Sequence, residues 1–417
     1  MSGATPEGYV PPIEAIYQLL DTFGDLWKRI RNLDTDDNEV ADVIVLGSVY
    51  PNAKLLSAEI ASAIHSRLWF TYRAGFEPIE RAESGPGPLT FARSMIFNAS
   101  PNNTIGGLFN NLTFLSDVGW GCMIRTSQSL LANALQRVVL GRDYQHEIPS
   151  AELDEILALF ADDYKSPFSL HNFIQAASRL PLQVKPGEWF GPSAASLSIK
   201  RLSDSLTVTN LPKLNVYIGE NGGMCDKDIE AEFAKESAPL LVLLPIRLGI
   251  NNINAIYHAS LLQLLALRQS VGIAGGKPSS SYYFFGYQDL DLLYLDPHHL
   301  QPVSEDYETY HTSRCLTLPI SQLDPSMLVG LLFENLDDYH SFKLEVHHTN
   351  KIVQFHDHTL RKKSFVDRGD DYVKVRRETD TVNIDDFVDI GDEFSDEEIG
   401  YDLSDEDIVD CGALSVA

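Results

Sequence analysis

Two segments far apart in the chain carry the residue types of thiol chemistry. Ser116-Asp117-Val118-Gly119-Trp120-Gly121-Cys122-Met123-Ile124-Arg125 sets a cysteine between a glycine-bracketed turn and a run with helical apolar spacing. The free N–H groups and positive dipole end of a helix start stabilise a thiolate, and the glycines let the backbone come close to a substrate carbonyl. Most unpaired cysteines are merely small buried hydrophobes, so Cys122 needs a partner before it counts as a nucleophile.

Leu292-Leu293-Tyr294-Leu295-Asp296-Pro297-His298-His299 offers that partner. Asp296 and His298 are two residues apart and share a face of an extended chain. The carboxylate can then accept from the imidazole and fix its tautomer, leaving the second nitrogen for a thiol. Alone, the stretch would read as a surface turn with a solvated histidine; His299 points the other way and is discounted. In Trp69-Phe70-Thr71-Tyr72-Arg73, Tyr72 has a hydroxyl that could serve a developing oxyanion beside the Cys122 N–H. Without the other two segments it would be a core aromatic.

The elements that must bring these residues together follow from periodicity. Ile13, Ile16, Tyr17, Leu20, Phe23, Trp27 and Ile30 predict a first helix, and Met123 to Gly141 a second that ends at a glycine. Ala151–Ala161 and Ser193–Leu206 read as further helices, and Glu83–Thr104 as a loop. Leu240–Ile246, Tyr282–Tyr287 and Leu292–Leu295 are short apolar runs bounded by turn residues, hence buried strands. A last helix is expected near Ser321–Leu336. Helices first and strands later predict an α+β fold.

The 417 residues carry 32 Lys+Arg against 59 Asp+Glu, a net charge of −27. Such a balance argues against nucleic acid as ligand. From Glu378 to Asp410 there are 15 acidic residues and no Lys or Arg; without them the charge is −12. This segment has too little apolar surface to offset ordering entropy, and the chain from roughly Arg361 is expected to be disordered. The expected organisation is an N-terminal extension with a helix over 1–60, a folded body over 61–345, and a flexible tail over 346–417 that is acidic from 378. The opening residues lack a secretory pattern and no apolar run reaches the roughly 20 residues of a membrane span. The four cysteines are sparse, as for reduced thiols in the cytoplasm. The sequons at Asn98, Asn102 and Asn111 are then expected to stay unmodified.

Taken in order, Trp69–Arg73, Gly119–Arg125, Glu188-Trp189-Phe190-Gly191-Pro192-Ser193, Gly275-Gly276-Lys277-Pro278 and Tyr294–His298 closely resemble the autophagins. These are the cysteine proteases that process the ubiquitin-like modifier of autophagy. The likeness runs from about Ala63 to Leu336. It implies a papain-like fold with a small additional α/β subdomain, with Cys122 as nucleophile, His298 as general base and acid, Asp296 as its orienter and Tyr72 as oxyanion donor. It further implies cleavage of the modifier after a C-terminal glycine and its release from phosphatidylethanolamine, so contact with autophagic membranes would come through substrate. Pre-autophagosomal structures and the nucleus join the cytoplasm as expected locations. Trp189 would line a narrow substrate channel, although plain core packing would also account for it. Gly249, Ile250, Asn251, Asn252, Ile253 and Asn254 would form a loop that covers the nucleophile until substrate lifts it.

Other signals are weaker. Phe387 and Ile390, in Ile384-Asp385-Asp386-Phe387-Val388-Asp389-Ile390, fit a short motif that docks on the modifier's sheet edge; a solvated charge run is the bland reading. Gly272 to Lys277 has the wrong spacing for a phosphate loop. The His347/His348 and His356/His358 pairs lack a cysteine partner. No cofactor and no metal are expected. The rival to an enzyme is a scaffold that keeps the fold and recruits the modifier through its tail.

Overall fold

A computed structural model describes residues 41–357 apart from 56, 88–112, 147–149, 180, 207–209, 236–237 and 278–279. The expected first helix, the sequons and the Phe387/Ile390 motif lie outside the described residues.

The first half of the chain supplies β1 (Ala41–Val45), β2 (Ser48–Ala53), α1 (Ala58–His65), β3 (Tyr72–Glu80), β4 (Thr113–Ser116), α2 (Cys122–Leu140), α3 (Ala151–Ala158), α4 (Leu170–Ser178) and α5 (Pro192–Ser205). Then come β5 (Asn215–Ile218), β6 (Gly223–Cys225), α6 (Asp226–Lys235), β7 (Leu240–Arg247), α7 (His258–Ala266), β8 (Ser270–Lys277) and β9 (Ser280–Gln288). The described chain closes with β10 (Asp291–Leu295), β11 (Leu300–Pro302), β12 (Leu316–Pro319), β13 (Ser326–Phe333), α8 (Leu336–Val346) and β14 (Gln354–His356).

The main sheet runs β12-β10-β9-β8-β13-β7-β5, with β1 pairing to the far half of β9 and β2 to β1. Neighbours are antiparallel except β5 and β7. Two hydrophobic clusters cover its two faces: Leu241 and Leu243 of β7 belong to one, while Leu240, Val242, Leu244 and Ile246 belong to the other. A strand buried on both faces needs no polar alternation, which is why these strands are continuous apolar runs. A second sheet, β11-β3-β4, and a parallel pair, β14-β6, stand apart from it.

The helix expected near Ser321–Leu336 is instead β13 in the middle of the main sheet, and α8 begins only at Leu336. Met327, Leu328, Val329, Leu331, Leu332 and Phe333 are all buried, and a short run apolar on both faces has no period to separate strand from helix. Strands β1–β4 also precede α2, so helices do not simply come first. The pairing of β14 with β6, and of β1 and β2 into the main sheet, carries the folded body beyond both expected boundaries, 61 and 345.

Helix α2 positions the site, and it is buried over its first fifteen residues, Cys122–Gln136. Its apolar side meets the sheet. On its polar side, Asn133 accepts from the Leu68 N–H and donates to the Leu68 carbonyl, both at 3.0 Å. Ser129 accepts from the Phe70 N–H at 3.1 Å and Gln136 donates to the Ser66 carbonyl at 3.0 Å. These side chains satisfy a buried segment that has no strand partner there. They hold residues 66–70 against α2 and so set where Tyr72 enters β3.

Candidate active site

The turn before α2 is built around Asp117. Its carbonyl accepts from the Trp120 and Gly121 N–H groups, and its carboxylate accepts from the Arg73 N–H at 2.7 Å and from Arg125 Nε at 2.7 Å. Gly119 sits at φ +85, in left-handed space. A Cβ on Gly121 would stand 2.3 Å from Asp117 Oδ2, so only glycine fits the N-cap. Cys122 follows as the first helical residue, 1% exposed.

Arg125 also donates to Asp162 at 2.8 Å, and both partners are buried. Burial opposes its charge, but the two carboxylates outweigh that and hold the guanidinium firmly protonated. Burial likewise raises the proton affinity of Asp117, which the Arg125 charge and hydrogen bond oppose. Arg73, 1% exposed, donates to the Pro302 and Thr309 carbonyls and lies 4.5 Å over the Tyr310 ring. Arg125 is thus paired with both carboxylates under the turn, while the neighbouring Arg73 guanidinium is held by carbonyls and the Tyr310 ring.

The Asp296–His298 turn ends β10. His298 Nδ1–H donates to Asp296 Oδ1 at 2.6 Å, and the same oxygen accepts the His298 backbone N–H at 2.9 Å. Trp69 Nε1 donates to the Asp296 carbonyl at 2.8 Å and the Tyr72 N–H to the Pro297 carbonyl at 2.9 Å. Residues Leu300 to Pro302 then pair in parallel with Tyr72 to Ala74. The strand that carries Tyr72 is therefore tied directly to the turn that carries His298.

His298 is partly buried, and its Nε2 is buried with no hydrogen-bond partner among the described residues. Burial opposes the imidazolium; the Asp296 charge and hydrogen bond, and then the Cys122 side chain beside it, more than offset this and push its pKa up to about 10. Although no hydrogen bond of ordinary geometry joins Cys122 to Nε2, the two groups are close enough to interact. Tyr72 is buried, with its hydroxyl next to Cys122 and the Gly119 peptide. Burial first, then the Cys122 and Asp117 charges, raise its pKa well above the usual phenol value, so the hydroxyl stays a donor. The four residues Cys122, His298, Asp296 and Tyr72 are one cluster.

Sequence reasoning passed over several supports. Tyr282 on β9 meets the His298 ring edge-on at 5.4 Å and packs on Tyr294 at 4.5 Å, while Tyr72 holds the other side at 5.3 Å. Thr126 and Ser281 hydroxyls bond at 2.7 Å, pinning the first turn of α2 to β9. Asp117, Arg125 and Asp162 received no role either. An arginine among the apolar positions of the α2 start was the one available signal of a buried ion pair. His299, discounted earlier, stacks on Trp69 at 5.8 Å.

Trp189 is 44% exposed, which removes core packing as its explanation. Its loop reaches the site indirectly: a Cβ on Gly187 would meet the Phe114 ring, which packs on Trp120 at 5.3 Å. The 249–254 segment is a loop after β7, closed by an Asn254 N–H to Leu248 carbonyl bond at 2.8 Å. Arg247 holds the Gly249 and Ile250 carbonyls at 3.0 and 2.7 Å. Ile253 is buried while Ile250 is 72% exposed at the tip.

Among the described residues no helix is long and apolar enough to cross a membrane. The Peptidase C54 catalytic domain matches residues 57–345. The chain is 43% identical to the probable cysteine protease ATG4 of Debaryomyces hansenii, covering 97% of this chain and 89% of that protein. It is 48% identical to the cysteine protease ATG4 of Candida albicans over 76% of this chain and 71% of that one. Against the same-named Saccharomyces cerevisiae protein the figures are 40%, 73% and 69%. With the match covering most of the folded body, the α+β architecture is papain-like and the chain is a cysteine protease belonging to the Peptidase C54 family.

Proposed function

We propose that this protease cleaves the ubiquitin-like modifier of autophagy after its C-terminal glycine and releases the same glycine from phosphatidylethanolamine. Cys122 is the nucleophile, His298 the general base and acid, Asp296 the group that orients it, and Tyr72 the oxyanion donor. The observation that carries this reading is the bare, buried Nε2 of His298 beside a cysteine at a helix start, with the Tyr72 hydroxyl against that cysteine.

The Cys122 sulfur attacks the glycine carbonyl carbon, and the oxygen takes charge that Tyr72 and backbone N–H groups stabilise. As the carbon–nitrogen bond breaks, the leaving amine takes its proton from His298. Water then gives His298 a proton, attacks the thioester and frees the sulfur. A peptide amine and a lipid amine leave by the same step, so one site serves both substrates. Exposed Trp189 and the loop around Ile250 are assigned to the channel and to the cover over Cys122. Phe387 and Ile390 are assigned to docking of the modifier. The enzyme acts in the cytoplasm and reaches autophagic membranes through its conjugated substrate; pre-autophagosomal structures and the nucleus are further locations on this reading.

The test is incubation of purified enzyme and of Cys122→Ala with unprocessed modifier, read by intact mass. The native chain should yield modifier ending in glycine, and the variant should bind without cutting. Turnover by Cys122→Ala would overturn the assignment of the nucleophile.

A further inference from the structure

Away from the thiol site, three histidines converge. His65 ends α1, His146 follows α2, and His311 follows the 3-10 turn Tyr307–Tyr310. Their candidate ligand nitrogens all lie within 4.8 Å of one another. The rings form a stack: His146 and His311 at 3.7 Å and 12°, with His65 5.1 and 5.5 Å from the two.

The second nitrogens are already held from outside. His311 Nδ1–H donates to the His65 carbonyl at 2.8 Å, and His146 Nε2 faces Glu308 Oε1 at 3.1 Å, while its Nδ1 lies 3.4 Å from the Tyr144 hydroxyl, a contact that an ion would replace. Carbonyl and carboxylate partners of this kind fix the tautomer of metal-binding histidines. His311 is 8% exposed, and its Nε2 is buried without a hydrogen-bond partner among the described residues. An unpaired buried acceptor is costly, and here it turns towards two more imidazoles.

We propose that His65, His146 and His311 form a binding site for a divalent transition-metal ion of the zinc class. Three imidazoles suit Zn2+, Co2+, Ni2+ or Cu2+ and not the hard cations that prefer oxygen. His65 and His146 are half-buried, which leaves a way in. Parallel rings cannot aim both lone pairs at one ion, so the His146 ring turns on binding. Tetrahedral Zn–N bonds of about 2.0–2.1 Å require nitrogens roughly 3.4 Å apart, a contraction the exposed Glu308 partner permits. The fourth position falls to water. Such an ion would clamp α1, the segment after α2 and the Tyr310–His311 segment together. Trp69, whose N–H donates to the Tyr310 carbonyl, lies inside that clamp.

Because Cys122 and His298 could also take the ion, the test uses the full chain as Cys122→Ala and Cys122→Ala with His146→Ala, His65→Asn or His348→Ala. Apo unfolding temperatures establish that each variant folds. Co2+ and Zn2+ are then titrated calorimetrically, with Co2+ absorption as the spectroscopic signature. Expected are one tight equivalent in Cys122→Ala, tetrahedral Co2+ bands without a thiolate charge-transfer band, and a raised unfolding temperature. His146→Ala and His65→Asn should each weaken binding by about 100-fold or more, and His348→Ala should leave it unchanged. Loss of the tight equivalent on removing Cys122 alone would overturn the proposal. So would tight binding that survives both histidine variants.

Discussion

The substitution Asp296→Asn isolates what the carboxylate does for His298. In the native site His298 is pushed up to about 10 from 6.5 although burial works against its charge. The rise, roughly 3.5 pH units at 1.36 kcal/mol each, is worth on the order of 5 kcal/mol of preference for the imidazolium. Asparagine keeps an oxygen for Nδ1–H but removes the negative charge, the first influence after burial. The ring should then titrate near or below its ordinary value, because the burial remains. On the proposed chemistry the competent state is thiolate with imidazolium, so loss of the His298 proton sets the alkaline limb of the pH–rate profile. That limb should move from near pH 10 to below about pH 7, and kcat/KM at neutral pH should fall by ~10²–10⁴-fold, the larger figure being the cost of the equivalent change in a serine protease triad. Stability follows the same linkage. A raised folded-state pKa stabilises the protein fully below pH 6.5, and that contribution is lost as pH rises through about 10. The variant should lack this slope in urea denaturation across the same window. An alkaline limb that stays in place in the variant would refute the argument.

Two further substitutions probe the supports. Tyr72→Phe keeps the buried ring and removes only the hydroxyl beside Cys122; kcat should drop by about 10²–10³-fold with KM and unfolding temperature little changed, as steady-state kinetics and a thermal melt would report. Asn133→Ala strips both partners from the buried Leu68 peptide. At about 1–3 kcal/mol for each unpaired group, it should cost roughly 2–6 kcal/mol in urea denaturation, and a loss under 1 kcal/mol would count against this anchoring of residues 66–70.

What could be read from the sequence were features that local chemistry dictates. Helix α2 was legible because its apolar stripe ends at Gly141, whose φ of +83 suits a residue without Cβ. The Asp296–His298 pair was legible from its two-residue spacing, although the structure closes the contact in a turn after β10 rather than along an extended chain, because the local backbone alone brings the two side chains together. β13 was not legible, because a strand apolar on both faces carries no period. β8 escaped notice for a related reason: its glycines pack where side chains would collide, Gly272 against the Phe284 carbonyl and Tyr283, Gly275 against Met327. Tyr282 beside His298 depends on how β9 pairs with β10, where the register shifts between Leu293 and Tyr294. No local pattern encodes that shift.

The buried charges explain why the thiol site can be so dry and still be held. Arg125 is paired with Asp117 and Asp162, the Arg73 guanidinium is held by the Pro302 and Thr309 carbonyls, and most of their polar atoms have partners. Removing one partner from such a set leaves an uncompensated charge, at about 3–5 kcal/mol. The arrangement therefore resists small displacements. Because Asp117 bonds both to β3, which carries Tyr72, and to α2, which carries Cys122, it fixes the sulfur and the phenol by a single carboxylate. Trp69 and the Tyr72 N–H do the same for the histidine turn. Three residues from three distant parts of the chain thus meet through hydrogen bonds to one strand, β3 and the segment leading into it. Disturbing residues 66–73 should then harm the site more than an equal disturbance on the solvent side of α8, whose Leu344 is 85% exposed.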